Sequence, residues 1–368
     1  MSAKYIHELK EWPQFKWNEV KLARRLEQIR LTQGRLIGKM EDLGFSLKEE
    51  ASLETLTADV LKTSEIEGEK LNKNQVRSSI AKRLGMKTVG VVKSGRDVEG
   101  IVEVMLDATQ KYKEKLTVGR ICSWHKALFP TGRNALGKII VGDWRDDSEG
   151  PMQVISGPVG KAKIHFQAPE ASRLNKEIQR FLEWFNGEPT EDSILRSAIA
   201  HLWFVTIHPF DDGNGRIARA MSDLLLARSE GSSQRFYSVS TQIFSQRKAY
   251  YDILERTQKG GMDISNWLDW YLSSLEKAIL GAEDIFSAVV AKSKFWKNHV
   301  GEQFNERQRM MINKLLDGFE GNLTSSKWAS ISKCSQDTAT RDIQDLMKRK
   351  ILKKNSAGGR STSYSLTH

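Results

Sequence analysis

The chain has 368 residues, 39% hydrophobic and 28% charged, and its 57 Lys and Arg outnumber 46 Asp and Glu to give a net charge of +11. That length exceeds one ordinary core and suggests two or three domains, and no apolar run approaches the roughly 20 residues of a bilayer-spanning helix. The opening "MSAKYIHELKEW" lacks a basic stretch followed by an apolar one, as in a secretory signal, and Cys122 and Cys334 alone exclude a disulfide framework or a thiolate zinc site. The expected setting is therefore the cytoplasm, away from membranes. The basic excess suits a polyanionic partner, nucleic acid or nucleotide.

In chain order, residues 17–45 place Val20, Leu22, Leu26, Ile29, Leu36, Ile37, Met40 and Leu43 near a 3.6-residue repeat, which predicts one long amphipathic helix. Residues 46–71 predict one or two more helices, stopped near Gly68. Helical patterns at 97–115 and 118–129 end at Pro130 and Gly132. The apolar-rich runs Met152–Ile155 and Ala162–Phe166 flank Gly157-Pro158-Val159-Gly160 and predict a β-hairpin. Helices resume over 171–185, 191–207 and 214–228.

From Gly321 onward nine Lys and Arg face three acids, Asp337, Asp342 and Asp345, a segment charge of +6. Helices near 305–317, 325–332 and 336–349, then a glycine-tipped hairpin, give the order of a winged helix-turn-helix. Gln336, Thr338, Thr340 and Arg341 could face a major groove and Arg360 a wing, while the three aspartates would oppose phosphate.

The densest chemistry lies in "IHPFDDGNGRIAR", residues 207–219. Pro209 drives His208 out of right-handed helical geometry, so the imidazole sits at a corner with Phe210 as its buried anchor. Gly213, Asn214 and Gly215 permit positive φ and let successive N–H groups converge ahead of a new helix, a ready anion site. Arg216 and Arg219 point from its first turn toward one region, as a polyphosphate requires. Asp212 is placed to hold Mg²⁺ and His208 to act as general base. The acids do not alternate as in an EF-hand, and no GK[ST] follows as in a Walker A loop.

At every fixed position this stretch resembles the Fic family signature H-P-F-x-[D/E]-G-N-G-R-x-x-R. The resemblance implies a mainly α fold: a helical Fic core with a β-hairpin flap, an N-terminal helical module and a C-terminal winged helix-turn-helix. The implied domains are 1–95 with an inhibitory helix, 96–260 as catalytic core, 261–300 as connecting helices and 301–368 as winged helix. The implied activity is transfer of AMP from ATP to a Ser, Thr or Tyr hydroxyl of a target protein. In it His208 is the base, Asp212 the Mg²⁺ ligand, Gly213, Asn214, Gly215 and Arg216 the phosphate cradle, and Arg219 the γ-phosphate arginine. The hairpin resembles the flap whose edge receives the target segment. Tyr250 and Tyr251 lie on the stretch resembling the adenine-side helix, where core packing is the competing reading, and Gln258 replaces the asparagine common in relatives. His201, on the face of His208, reads as structural.

Upstream, "TSEIEG" resembles the family's inhibitory pattern [S/T]-x-x-x-E-[G/N] through Thr63, Glu67 and Gly68, implying that Glu67 binds ATP-side Arg219 and misaligns the nucleotide. The stretches "WPQFKWNEV" and "LTQGRLIGKMEDLGF" resemble the helical module of one bacterial subfamily. Rival readings are AMP removal and phosphate transfer as in Doc relatives, the latter opposed by Gly215 where those carry lysine. Another is a nucleotide-sensing DNA-binding regulator. A DNA or protein partner for the C-terminal segment, and pairing of two copies, stay open.

Overall fold

The N-terminal repeat forms α1 (Glu19–Glu41), opened by Asn18, whose side chain accepts from the Lys21 N–H at 3.0 Å and so satisfies one orphan donor of the first turn. It is followed by α2 (Phe45–Ile66) and α3 (Lys73–Arg83), the latter not foreseen because its moderate apolar content gives no clear period. The structure is a computed structural model that describes residues 4–42, 45–86, 92–157, 163–319, 321–355 and 362–367, with the side chains of residues 45 and 46 also outside the description. The turn at 158–162 and Arg360 therefore lie outside the described residues.

Next come α4 (Arg96–Gln110) and α5 (Val118–Leu128), which cross closely at Gly100: a Cβ there would lie 2.7 Å from the Ala127 carbonyl carbon. The hairpin consists of β1 (Gln153–Ser156) and β2 (Lys163–Gln167), antiparallel and one residue later than the sequence suggests. Its register shifts between Val154 and Ile155, so that His165 on β2 is an extra residue. Then follow α6 (Leu174–Asn186), α7 (Ser193–Ile207), α8 (Asn214–Glu230), α9 (Val239–Ser245), α10 (Arg247–Gln258) and α11 (Ser265–Asn298).

Helix α7 is buried on every side from Ile194 to Ile207, as a helix apolar all round must be. It pairs with α8 along most of its length, and together they carry both ends of the loop at 208–213. Helix α2 is built into the same body: Leu53, Leu56, Val60 and Ile66 are buried, and it packs on α3 and α9.

The chain divides into two compact units, Met1–Glu283 and Asp284–His368, with α11 passing from the first into the second. The second unit contains α12 (Glu306–Leu316), α13 (Ser325–Ser332), α14 (Gln336–Lys348) and a hairpin of β3 (Leu352–Lys354) with β4 (Tyr364–Leu366). Its core gathers Met311, Ile312, Trp328, Ile343, Leu346 and Ile351. Among the described residues no helix is long and apolar enough to cross a membrane.

Candidate active site

His208 caps α7 in the left-handed region, φ 50° and ψ 59°, its N–H bonded to the Phe204 carbonyl, and Pro209 after it disfavours continuation of the right-handed helix. The corner is fixed from inside. Phe210 is fully buried and its ring stacks on His125 at 3.9 Å. The Phe210 N–H donates to Asn214 Oδ1 at 3.0 Å, and Asn214 Nδ2 donates back to the Phe210 carbonyl at 2.7 Å. Asn214 is thus a lock on the loop's shape. Gly213, at φ 81°, turns the chain into α8, and a Cβ there would lie 2.9 Å from the Phe129 ring.

The His208 imidazole donates from Nδ1 to the Val205 carbonyl at 3.2 Å, which leaves Nε2 as the basic nitrogen. Burial lowers its pKa to about 4, with Arg145 adding to the shift and the Val205 bond, Asp212 and Glu67 opposing it. Neutral imidazole is therefore the resting form at pH 7. Gln258 steadies the helix end beneath it, donating to the Val205 carbonyl at 3.4 Å and to Thr206 Oγ1 at 3.3 Å.

Three supports of this corner carry no sequence signal. Arg145, its side chain fully buried, donates to the His208 carbonyl at 2.8 Å, the Pro169 carbonyl at 2.5 Å and Asp147 at 2.9 Å. It joins the histidine corner to the exit of β2. His125 donates to the Asp212 carbonyl at 3.1 Å and accepts from the Gly142 N–H at 3.0 Å, and burial holds its pKa at about 4. Asn134 donates to Asp212 Oδ2 at 3.0 Å. Their contacts with residues 208 and 212 of the loop span 63 to 87 residues of chain, so no local pattern exposes them.

Both arginines of the loop are held by carboxylates from the end of α2. Arg219 donates from Nη2 to Glu67 Oε1 at 2.8 Å, and from Nε and Nη2 to the hydroxyl and carbonyl of Thr63 at 2.7 and 3.0 Å. Arg216 donates from Nη1 to both oxygens of Glu69 at 2.9 Å. Gly68, at φ 89°, makes the turn that presents the two glutamates. A Cβ on Gly215 would meet the Glu67 carboxylate, whose carbon would be 3.3 Å away, so this carboxylate rests inside the glycine cradle. Among the described residues, Arg216 Nε and Arg219 Nη1 remain buried with no hydrogen-bond partner. Unmet guanidinium donors beside a glycine cradle fit a polyphosphate.

Asp212 has its side chain 35% exposed; its Oδ1 lies 3.5 Å from Arg216 and its Oδ2 accepts from Asn134 at 3.0 Å, and each carboxylate oxygen keeps a further lone pair for a cation. Among the described residues no three His, Cys, Asp or Glu side chains cluster to hold a metal. A single carboxylate suits Mg²⁺, which commonly binds through one or two carboxylates and the phosphates of its substrate. Tyr250 is buried and its hydroxyl meets His201 Nε2 at 2.8 Å, while Tyr251 is 39% exposed with its hydroxyl 3.4 Å from Glu67. His201 is buried, with its Nε2 2.8 Å from the Tyr250 hydroxyl and its Nδ1 3.4 Å from the Ser222 hydroxyl. The hairpin is tied to α10 by His165, which donates to Glu255 at 2.6 Å and accepts from the Ser156 hydroxyl at 2.5 Å.

Residues 115–226, spanning this entire loop, match the Fic/DOC family. The chain carries a Fic/DOC domain. Residues 5–86 match a second family, described only as a domain of unknown function, DUF4172. Among curated proteins, the protein adenylyltransferase fic-1 of Caenorhabditis briggsae is 28% identical over 179 residues, 48% of this chain and 32% of that protein. The protein adenylyltransferase Fic of Drosophila sechellia is 27% identical over 220 residues, 58% of this chain and 39% of that protein. The matches thus span about a third of the length of these relatives. A solved Fic family protein from Desulfovibrio desulfuricans G20 covers 94% of this chain with TM-score 0.51 at 20% identity. A Fic domain containing signaling protein from Bacteroides thetaiotaomicron covers 71% with TM-score 0.51 at 18% identity. At these identities the likeness concerns the fold, and the fold is that of the Fic/DOC domain with its mainly helical frame and small hairpin.

Proposed function

We propose that the protein transfers AMP from ATP to a hydroxyl group of a target protein and that the segment after α2 restrains this reaction. One observation carries the reading: a neutral histidine with a free Nε2 stands at the edge of a glycine cradle whose two arginines hold unmet donors. A hydroxyl oxygen of the target attacks the α-phosphorus, its proton passes to His208 Nε2, and the bond from that phosphorus to the β-phosphate oxygen breaks, releasing pyrophosphate. Arg219 and Arg216 take the charge of the β- and γ-phosphates, and the N–H groups of the 213–215 turn orient the chain of phosphates. Mg²⁺, held through Asp212, supplies neutralising charge when bound. Tyr251, part-exposed beside Glu67, is the candidate adenine contact, and the β1–β2 hairpin is the candidate edge for an extended target segment.

Restraint follows from occupancy. The Glu67 carboxylate takes the place of an anion in the cradle and occupies Arg219, while Glu69 occupies Arg216. Nucleotide entering against these pairs sits out of line for attack, and misplacement by about 1 Å lowers a rate on the order of 100-fold.

The test incubates wild type, Glu67→Gly and His208→Ala with Mg²⁺ and ATP, alone and with lysate, and weighs proteins for AMP adducts. Adducts that increase with Glu67→Gly and vanish with His208→Ala are the expected result. No adduct from any of the three overturns the transfer reading and gives precedence to AMP removal, tested by loss of AMP from a modified protein.

A further inference from the structure

The second unit carries a concentration of positive charge that the transfer reaction does not use. Lys333, Arg341, Lys348, Lys350, Lys353 and Lys354 are all exposed, and among the described residues none has an ion-pair partner. The acids of the same segment are turned to internal work. Asp342 is buried and accepts from Arg307 at 2.7 Å and Asn305 at 2.8 Å. Asp345 accepts from Gln308 at 2.8 Å and pairs with Arg349 at 3.2 Å. Two of the three aspartates that the sequence sets against phosphate binding therefore neutralise the unit's own cations, and among the described residues only Asp337, at the start of α14, stays outward and unpaired.

On α14 the buried side is Ala339, Asp342, Ile343 and Leu346. The outward stripe is Asp337, Arg341, Gln344 and Lys348, at spacings of four, three and four that put them on one face, with the acid confined to its first turn. Lys350, Lys353 and Lys354 follow immediately on the turn and the strand β3.

We infer that this face of α14, with the adjoining lysines of β3, binds duplex DNA. A helix with an outward Arg and Gln carries the side chains that pair with base edges, and B-form DNA has a major groove about 12 Å wide that admits a helix. A-form RNA has a major groove too narrow for side chains to read. Single strands bind on exposed aromatic platforms. Here Trp328 is fully buried, and Phe319 and Tyr364 pack on the core. Lys350, Lys353 and Lys354 supply the phosphate contacts that hold the helix in register.

The experiment uses the full chain and a fluorescent mixed-sequence DNA duplex two helical turns long, with anisotropy recorded from low to moderate salt. Wild type should bind at low salt, with log affinity falling linearly against log salt. Lys353→Ala with Lys354→Ala should reduce that slope by about 0.9 for each phosphate that is no longer neutralised. Arg341→Ala with Lys348→Ala should weaken binding at least tenfold, and all variants should keep the wild-type melting temperature, since these side chains are exposed. A duplex of RNA should bind more weakly than DNA. No anisotropy change at low salt, equal binding of RNA and DNA, or variants with unaltered slope and affinity would each overturn the inference. Capture on an acidic polypeptide with no DNA binding would overturn it too and assign the face to a protein partner. None of these outcomes bears on AMP transfer, which is measured separately.

Discussion

Glu69 meets Arg216 with both carboxylate oxygens at 2.9 Å, beside the 2.8 Å pair of Glu67 with Arg219. One three-residue turn thus occupies both guanidiniums of the loop. The two pairs differ in setting, since Glu67 is 28% exposed and Glu69 48% exposed. Solvent weakens the outer pair more than the inner one.

A graded release follows. Glu67→Gly should raise AMP transfer by on the order of 10- to 100-fold. Glu69→Ala should add a few-fold in that background and little alone, because Glu67 still fills the cradle. Adduct mass per unit time measures all three variants. Equal rates for Glu67→Gly and the double variant would assign the whole restraint to Glu67.

The pH profile should report the burial of His208. Its pKa of about 4 keeps Nε2 free to accept a proton well below the usual histidine midpoint of 6.5. Transfer by Glu67→Gly should therefore hold its rate through pH 6 and fall only toward pH 4, read as initial rates across a buffer series. A half-point near 6.5 would contradict a base held neutral in the folded protein. Stability has the same sign. His201 at about 3, and His125 and His208 at about 4, protonate in the unfolded chain near 6.5 but not in the folded one. Between those values the unfolded state binds more protons, so stability falls as pH drops, by up to about 1.4 kcal/mol per pH unit for each histidine. Denaturant midpoints at pH 7 and pH 5 measure this.

Arg145 positions the base from behind. Arg145→Ala strips donors from the His208 and Pro169 carbonyls and from Asp147, which should cost about 2–4 kcal/mol in unfolding free energy. The transfer rate should fall with little change in nucleotide affinity, since Arg145 bonds to no residue of the cradle. Arg145→Lys restores the charge on a single nitrogen that cannot span the three acceptors as the guanidinium fork does, and it should recover part of the rate. A loss of nucleotide affinity equal to the loss of rate would mean that Arg145 supports the phosphate loop instead.

Gly100 lets α4 approach α5 closely. Gly100→Ala forces a methyl against the Ala127 carbonyl, and such overpacking costs about 1–3 kcal/mol. A lowered denaturant midpoint with an unchanged slope would register it. An unaltered midpoint would show that the α4–α5 contact accommodates the methyl at no cost.

What the sequence discloses and what it withholds divides by distance along the chain. The His208–Arg219 loop is local, its glycines and proline act on their own backbone, and the structure places those residues together. The approach of Glu67 to Arg219 is reachable only through resemblance, since 152 residues separate them. Glu69 is visible as a second acid beside Glu67, but nothing local aims it at Arg216. Arg145, His125 and Asn134 sit in segments without a motif and acquire meaning only when the loop folds over them. The helical periods locate most elements to within a few residues, whereas α3 escapes notice for want of an apolar stripe.

The position of Glu67 inside the cradle also sets the terms on which any ligand must act. A carboxylate tethered to a packed helix competes at a fixed effective concentration, one that dilution of the protein cannot change. A nucleotide that favours the held and released arrangements equally shifts nothing, however tightly it binds. Release instead requires an agent that discriminates between the two. Because α2 rests on α3 and α9, contacts on those helices, remote from the phosphates, can tune how much nucleotide the protein needs before it works.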